Sequence, residues 1–196
     1  MNRIFSLFAL LLPVTFLYSC GLDQNQSSKE LALEMNDRKI KRVTDAQLTA
    51  TVDEWGKALV QTSRKALTAE LAKKVGDQSR CTLEGIPAVE KLEKQYAVTI
   101  DLLSAKDTAN PALNTKEREL LLAYRYNALN KMEQTDNIQK VNDTLFVYNS
   151  PVATNDPICT TCTDDAALPF VIWRVVFEKR EIIRRINPKK LQELAR

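Results

Sequence analysis

The spacing of apolar and polar positions predicts one long helix in the first half of the chain. Apolar residues recur at three- and four-residue steps, which is the period of one face of an α-helix: Leu48, Val52, Trp55, Leu59, Ala66 with Leu67, and Leu71. Thr44 and Gln47 have the spacing of a capping box at its start, and Gly76 is a natural end. We expect this helix, Thr44 to Lys74, to pack on the core through its apolar stripe. The alternative is that it pairs with a copy of itself and forms a homodimer.

The remaining pattern predicts an alternation of shorter helices and strands. Helices are predicted from Pro87 to Tyr96, from Thr115 to Met132, and after Asn187-Pro188. Strands are predicted at 97–103, 143–152 and 170–177, where β-branched and aromatic residues are enriched. The returns between them are hairpin-like, so we predict an α+β fold with an antiparallel sheet rather than a doubly wound one.

The first nineteen residues predict a lipoprotein signal peptide. Arg3 precedes an apolar run from Ile4 to Leu17, which is shorter than the roughly 20 residues of a membrane-spanning helix. The sequence Leu-Tyr-Ser-Cys that ends at Cys20 resembles the bacterial lipobox, in which the cysteine receives diacylglycerol before cleavage. We expect Cys20 to be lipidated, residues 20–43 to form the anchor and tether, and residues 44–196 to form a single domain. The alternative is an ordinary cleaved signal with a stray cysteine.

This leader predicts a protein of the bacterial cell envelope that is lipid-anchored to a membrane and faces the periplasm. The chain has 28 basic and 25 acidic residues, a near-balance that argues against a nucleic-acid partner. It contains no histidine that could act as the base for a serine or cysteine nucleophile. We therefore expect no enzyme activity.

Three cysteines remain if Cys20 is lipidated, and an odd number in an exported protein leaves one thiol unpaired or bound. They are Cys81 and the C-x-x-C pair Cys159 and Cys162, which we place in a loop between two strands. In a haem-attachment motif the next residue is histidine, but here it is Thr163.

Four segments, in order, resemble the c-type-haem PAS-like domain family, which occurs in periplasmic redox sensors and at the front of bacterial sensor kinases. They are SRCTLEGIPAVEKL (79–92), NPALNTKERELLLAY (110–124), LFVYNSPVATNDPICTTC (145–162) and PFVIWRVVF (169–177). The likeness covers roughly residues 55 to 177. It implies a PAS-like antiparallel sheet with flanking helices, and a separate signalling or redox partner.

The resemblance also implies roles for the three cysteines. Cys159 and Cys162 match the residues that bind the haem vinyl groups, and Cys81 matches the distal axial ligand. Thr163 stands where the family has its proximal histidine. A threonine hydroxyl is a poor substitute for that ligand, so the resemblance supports the fold more strongly than a covalent haem c.

Four arrangements of the cysteines stay open. The one we expect is a Cys159–Cys162 disulfide left after the loss of haem, with Cys81 as a buried thiol and no cofactor. A second is a haem with a substitute ligand, such as Met132 or a lysine. A third is a redox-active C-x-x-C with Cys81 as resolving thiol, which nearby carboxylates would disfavour by raising the thiol pKa.

The fourth arrangement is a metal ion held by the three thiolates and Asp164 or Asp165, although zinc sites usually take a second Cys or His pair. The sequence therefore favours a lipid-anchored, non-enzymatic sensing or ligand-binding module without haem. A c-type cytochrome or a thiol-redox protein is the alternative.

Overall fold

The computed structural model describes Ser28, Leu31 and residues 43–74, 76–165 and 169–187. The chain divides into two compact units, Met1–Lys39 and Ile40–Arg196. The predicted signal peptide, Cys20 and nearly all of the predicted tether lie outside the described residues, and so does the helix predicted after Pro188.

The second unit contains five helices and four strands among its described residues. The helices are α1 (Asp45–Lys73), α2 (Pro87–Tyr96), α3 (Thr115–Leu129), α4 (Pro157–Cys162) and α5 (Lys179–Arg185). The strands are β1 (Val98–Ser104), β2 (Asn137–Lys140), β3 (Leu145–Pro151) and β4 (Val171–Glu178). Two 3₁₀ segments, Gln78–Thr82 and Ala105–Ala109, lie on either side of α2 and β1.

The strands form one antiparallel sheet in the order β1-β4-β3-β2. The last strand along the chain, β4, therefore lies between β1 and β3. Trp173 of β4 pairs with Leu102 on one side and with Ser150 on the other, which fixes the register. The predicted α+β class is confirmed, with an antiparallel sheet, flanking helices and a long first helix.

The long helix α1 covers one face of this sheet. Thr44 caps its start, because the hydroxyl accepts a hydrogen bond from the Gln47 amide at 3.2 Å while the Gln47 side chain accepts one from the Thr44 amide at 3.0 Å. Its apolar stripe packs against β3 and β4, where it meets Trp173 and Tyr148 in the main core. The apolar stripe of α1 is therefore buried in the core of its own chain. This is the first of the two alternatives for this helix, packing on the core rather than pairing with a copy of itself.

The opposite face of the sheet carries a smaller core under α3. Leu121 and Tyr124 of α3 pack there with Leu103, Phe170 and Ile172. The neighbouring position on β4 is a charged residue, Arg174, whose cross-strand partner on β1 is Asp101.

Arg174 fastens the first turn of α3 to the sheet. Its Nε donates to Glu117 Oε1 at 2.7 Å and its Nη1 donates to Asp101 Oδ2 at 2.6 Å. Glu117 also belongs to a capping box with Asn114, whose side-chain oxygen accepts from the Glu117 amide at 3.1 Å. Glu117 therefore both caps the start of α3 and takes part in a buried ion pair.

The predicted elements differ from the observed ones mainly at their ends. The third helix ends at Leu129 rather than Met132, and the strand predicted at 143–152 spans Leu145–Pro151. Two elements, β2 and α5, were not predicted. The C-x-x-C segment is helical (α4), so its placement in a loop was wrong.

A close contact between α1 and β3 yields a first prediction. A Cβ at Gly56 would lie 2.6 Å from Cδ1 and 2.7 Å from Cδ2 of Tyr148. Gly56→Ala should lower the free energy of unfolding by up to about 2 kcal/mol, because overpacking of about 1–3 kcal/mol exceeds a helix-propensity gain of about 1 kcal/mol. Urea denaturation measures this, and the exposed Gln61→Ala on the same helix is the control. A more stable Gly56→Ala protein would contradict the contact.

Candidate functional site

The C-x-x-C motif begins a short helix that its own sequence specifies. Asp156 is the N-cap of α4, since its carboxylate accepts from the Ile158 amide at 2.8 Å, and Pro157 occupies the first helical position. Asp156 is itself buried and pairs with Arg64 of α1. The motif is thereby fixed against the long helix.

The disulfide of the domain joins Cys81 to Cys162, with 5.5 Å between their Cα atoms. Cys159 is a free, buried cysteine. The predicted Cys159–Cys162 disulfide is therefore wrong, and so is the expectation that Cys81 would be the unpaired thiol.

The pairing follows from the different burial of the two cysteines of α4. Cys159 is fully buried in the main core beside Ile158, whereas Cys162 is only partly buried, at the end of the helix. The 3₁₀ segment Gln78–Thr82 packs against α4 and brings Cys81 to this end. Cys81, which is distant in the sequence, therefore bonds to Cys162, whereas Cys159 of the same helix does not.

The Cys159 thiol is chemically quiet. Burial in the core raises its pKa to about 11, and the negative charge of Asp156 contributes in the same direction. The thiol is therefore protonated at neutral pH and is a weak nucleophile towards the adjacent disulfide. The causes of the raised pKa are therefore burial and Asp156, which precedes the motif, rather than the carboxylates that follow it.

The residues after the motif serve local structure. Thr163 is buried, and its hydroxyl donates to the Asp165 carbonyl at 3.0 Å and accepts from the Phe170 amide at 3.4 Å. Asp164 accepts from the amides of Ala105 and Lys106, at 3.2 and 2.8 Å, and so caps the start of the second 3₁₀ segment. These side chains fix the end of α4 to the end of β1.

A small cavity lies beside the disulfide. Its volume is about 240 Å³, and Cys81 and Cys162 line it together with Lys106, Asp107 and Asp164. Small-molecule pockets commonly measure about 300–1,000 Å³. The cavity is therefore suited to a few water molecules or to a small polar ligand.

The donor set in this arrangement does not fit a covalent haem. Thioether attachment needs the sulfur of Cys162, which is already bonded in the disulfide. The sulfur of Cys81, the distal ligand that the resemblance implies, is bonded in the same disulfide. The Thr163 hydroxyl at the position of the proximal ligand is engaged in a turn. Met132, the suggested substitute ligand, lines a different cavity with Leu129 and other residues.

The described residues contain no group of three or more Cys, Asp or Glu side chains that could hold a metal ion. Asp164, one of the two candidate metal ligands, is committed to backbone amides. In the part of the chain that the structure describes, no helix has the length and apolarity to cross a membrane. Cys20, the predicted lipidation site, lies outside that part.

Sequence reasoning missed the Cys81–Cys162 pair, the cap at Asp156 and the ion pair at Arg174. The cap had a local signal, because an aspartate directly before a proline is typical of a helix start. The other two join residues that are far apart along the chain, and no local pattern indicates them.

Comparisons with known proteins identify no relative. The scan against protein-family models and the searches of curated proteins and of solved structures each found no match. The likeness to haem sensor domains therefore stays a hypothesis carried by the four segments of the sequence.

The disulfide assignment predicts which substitutions lower stability. Cys81→Ser and Cys162→Ser should each lower the free energy of unfolding by about 4 kcal/mol, since a cross-link over 81 residues restricts the unfolded chain by about that amount. The double variant should lose no more than either single one. Peptide mapping without reductant and urea denaturation measure both effects.

Cys159→Ala is the matched control and should keep the cross-link. Recovery of a peptide in which Cys159 is bonded to Cys162, or an intact disulfide in the Cys81→Ser protein, would contradict the assignment.

The buried thiol predicts a pH-dependent reactivity. In the folded protein, Cys159 should resist iodoacetamide at pH 8, because burial holds its pKa near 11; an unfolded thiol, with a pKa of about 8.5, reacts there. Below about pH 8.5 the Cys159 thiol is protonated in both the folded and the unfolded state. Between that pH and about 11 only the unfolded thiol ionises, so the free energy of unfolding falls as the pH rises through this range. Mass spectrometry after labelling, with and without urea, checks the reactivity. Rapid labelling of folded protein at pH 8 would be inconsistent with this burial.

Proposed function

We propose that the protein is a lipid-anchored, non-enzymatic sensing or ligand-binding module of the bacterial cell envelope. In this proposal the domain resembles a c-haem redox sensor whose attachment position has been closed by a disulfide. The observation that carries it is the Cys81–Cys162 bond, which joins two of the three cysteines assigned to haem. In this proposal the domain has the cysteines of a haem-attachment site, but the sulfurs of Cys81 and Cys162 are bonded to each other and are not free to bind haem.

The anchor is proposed from the sequence alone. Cys20 would carry the lipid, and the domain would begin near Thr44, where α1 is capped. The domain would thus stay close to the membrane surface and face the periplasm.

Three features support a binding role rather than catalysis. The chain has no histidine, the Cys159 thiol is held protonated, and Asp156 and Asp164 are used as caps. The cavity at the disulfide is polar and small, with Lys106 and Asp107 on its wall. We propose that any ligand at this cavity is a small polar molecule.

The test is a visible absorption spectrum and an intact mass of the full chain, exported in a bacterium that makes c-type haem. We expect no Soret band and a mass about two hydrogens below that of the reduced protein. A Soret band with the added mass of one haem would overturn the haem-free proposal.

Thr163→His in a Cys81→Ser background provides a sharper test of the resemblance, because it restores the C-x-x-C-H spacing of haem attachment and frees the sulfur of Cys162. We expect this double variant to gain a Soret band and the mass of one haem, and the control with Cys81→Ser and Thr163→Ala to stay colourless. If the Cys81→Ser, Thr163→His protein folds and stays colourless, the likeness to haem sensors loses its support.

A thiol-redox protein is the second candidate, because Cys159 lies within one helical turn of the disulfide. Its thiolate would attack the Cys162 sulfur, form a Cys159–Cys162 bond and release Cys81 as a thiolate. The two functions are separated by measuring the rate of disulfide exchange with glutathione in the unsubstituted protein and in Cys159→Ala. An unchanged rate supports the binding module, and a large fall in rate supports the thiol-redox protein.

A further inference from the structure

The free edge of the sheet at β1 lies beside the disulfide cavity. Within the described sheet, β1 pairs with β4 alone, so one side of its backbone has no neighbouring strand. Leu102 and Ser104 of β1 line the cavity, together with the two cysteines of the disulfide. The strand β1 therefore forms one wall of the proposed ligand site.

The backbone of every second residue of β1 is directed to this free edge. In an antiparallel pair, positions that exchange hydrogen bonds with the partner strand alternate with positions that do not. The amide of Ile100 donates to Glu93 Oε1 at 2.9 Å. The amide of Ser104 donates to Asp107 Oδ2 at 2.8 Å. Both amides therefore turn away from β4, and Leu102, which lies midway between them, has the same orientation.

Leu102 is the open position on this stretch of the edge. Within the part of the chain that the structure describes, no side chain caps its amide, in contrast to those of Ile100 and Ser104. A residue at such an edge can exchange two hydrogen bonds with one residue of an added antiparallel strand. The two capped amides lie about 13 Å apart along the strand. The space between them therefore suits a segment of a few residues and excludes a long added strand.

The charges around the cavity indicate which end of a peptide would lie there. Asp107 and Asp164 line the cavity near the Ser104 end of the open stretch, and the base among its lining residues is the exposed Lys106. Glu93 lies at the other end of the stretch. In an antiparallel segment the amino end points towards Ser104. Its ammonium group would then lie near two carboxylates, whereas a free carboxylate at the other end would be repelled by Glu93.

We propose that the cavity beside the disulfide binds the amino-terminal residues of a peptide, which add to β1 at Leu102. This proposal rests on the proposed ligand-binding function and specifies its ligand class. The peptide exchanges two backbone hydrogen bonds with Leu102, and its ammonium group lies beside Asp107 and Asp164. A cavity of about 240 Å³ is smaller than the usual pocket of about 300–1,000 Å³, so the bound residues have small side chains.

The disulfide fixes a second wall of this site. The 3₁₀ segment Gln78–Thr82 packs against β1, and the Cys81–Cys162 bond ties it to the end of α4. Gln78 and Thr82 of this segment line the cavity. The width of the cavity therefore depends on the disulfide.

The test is a chemical-shift titration of the isotope-labelled full chain, in detergent micelles, with glycylglycine amide. This probe has an ammonium group and a peptide bond but no carboxylate. We expect saturable binding and a downfield shift of the Leu102 amide proton, because that proton gains a hydrogen bond. N-acetylglycine amide, which lacks the ammonium group, should bind several-fold more weakly. No binding, equal affinity for the two probes, or an unchanged Leu102 amide would each overturn the proposal.

Lys106→Glu tests the position of the ammonium group. The substitution replaces an exposed base by an acid at the amino end of the bound peptide, so it should tighten the binding of glycylglycine amide several-fold. Lys65→Glu makes the same charge change on the exposed face of α1 and should leave the affinity unchanged. The amide spectrum shows whether each variant is folded. Equal affinities in the two variants would contradict the placement of the ammonium group.

These outcomes are separable from those of the proposed function. A colourless protein that binds neither probe would refute the peptide site alone. A haem spectrum would refute the haem-free binding module itself.

Discussion

The arrangement of the domain depends on the burial of β4 on both of its faces. One face lies under α1, where Trp173 is almost fully buried, and the other lies under α3, where Ile172 is buried. A strand between two layers can carry a charge only if that charge is paired, because an isolated buried ion is strongly unfavourable. Arg174 meets this condition with Glu117 and Asp101. Its pairing also decides where α3 starts and which side of that helix is turned outward.

The disulfide has a comparable role at the other end of the sheet. It ties the 3₁₀ segment before α2 to the end of α4, which lies just before β4, so two distant stretches of chain close around the end of β1. The Cys81–Cys162 bond holds these two stretches together without a third group. A thioether and a disulfide at Cys162 exclude each other, since both would use the same sulfur atom.

The sequence predicted the elements whose signals are local. The capping box at Thr44 and the apolar period located α1, and the β-branched run located β4. The strand β2 was missed because Asn-Ile-Gln-Lys is a short, polar edge strand. The helix α5 was missed because Lys-Arg-Glu-Ile-Ile-Arg-Arg follows a strand directly and is largely charged. The disulfide was assigned to the wrong pair because the C-x-x-C spacing suggests a local bond, while its partner lies 81 residues away.

Burial of the sulfur, together with the carboxylate of Asp156, explains why the first cysteine of the motif is chemically quiet. Cys159 lies in the first turn of α4, where the helix dipole by itself would lower a thiol pKa. The helix starts there because Asp156 caps it, and that same carboxylate places a negative charge at the helix start. Arg64 offsets part of this charge, but burial of the sulfur acts in the same direction as Asp156 and is the larger effect. The features that make the motif helical therefore also keep its first cysteine protonated, and they favour a fixed cross-link over an exchanging one.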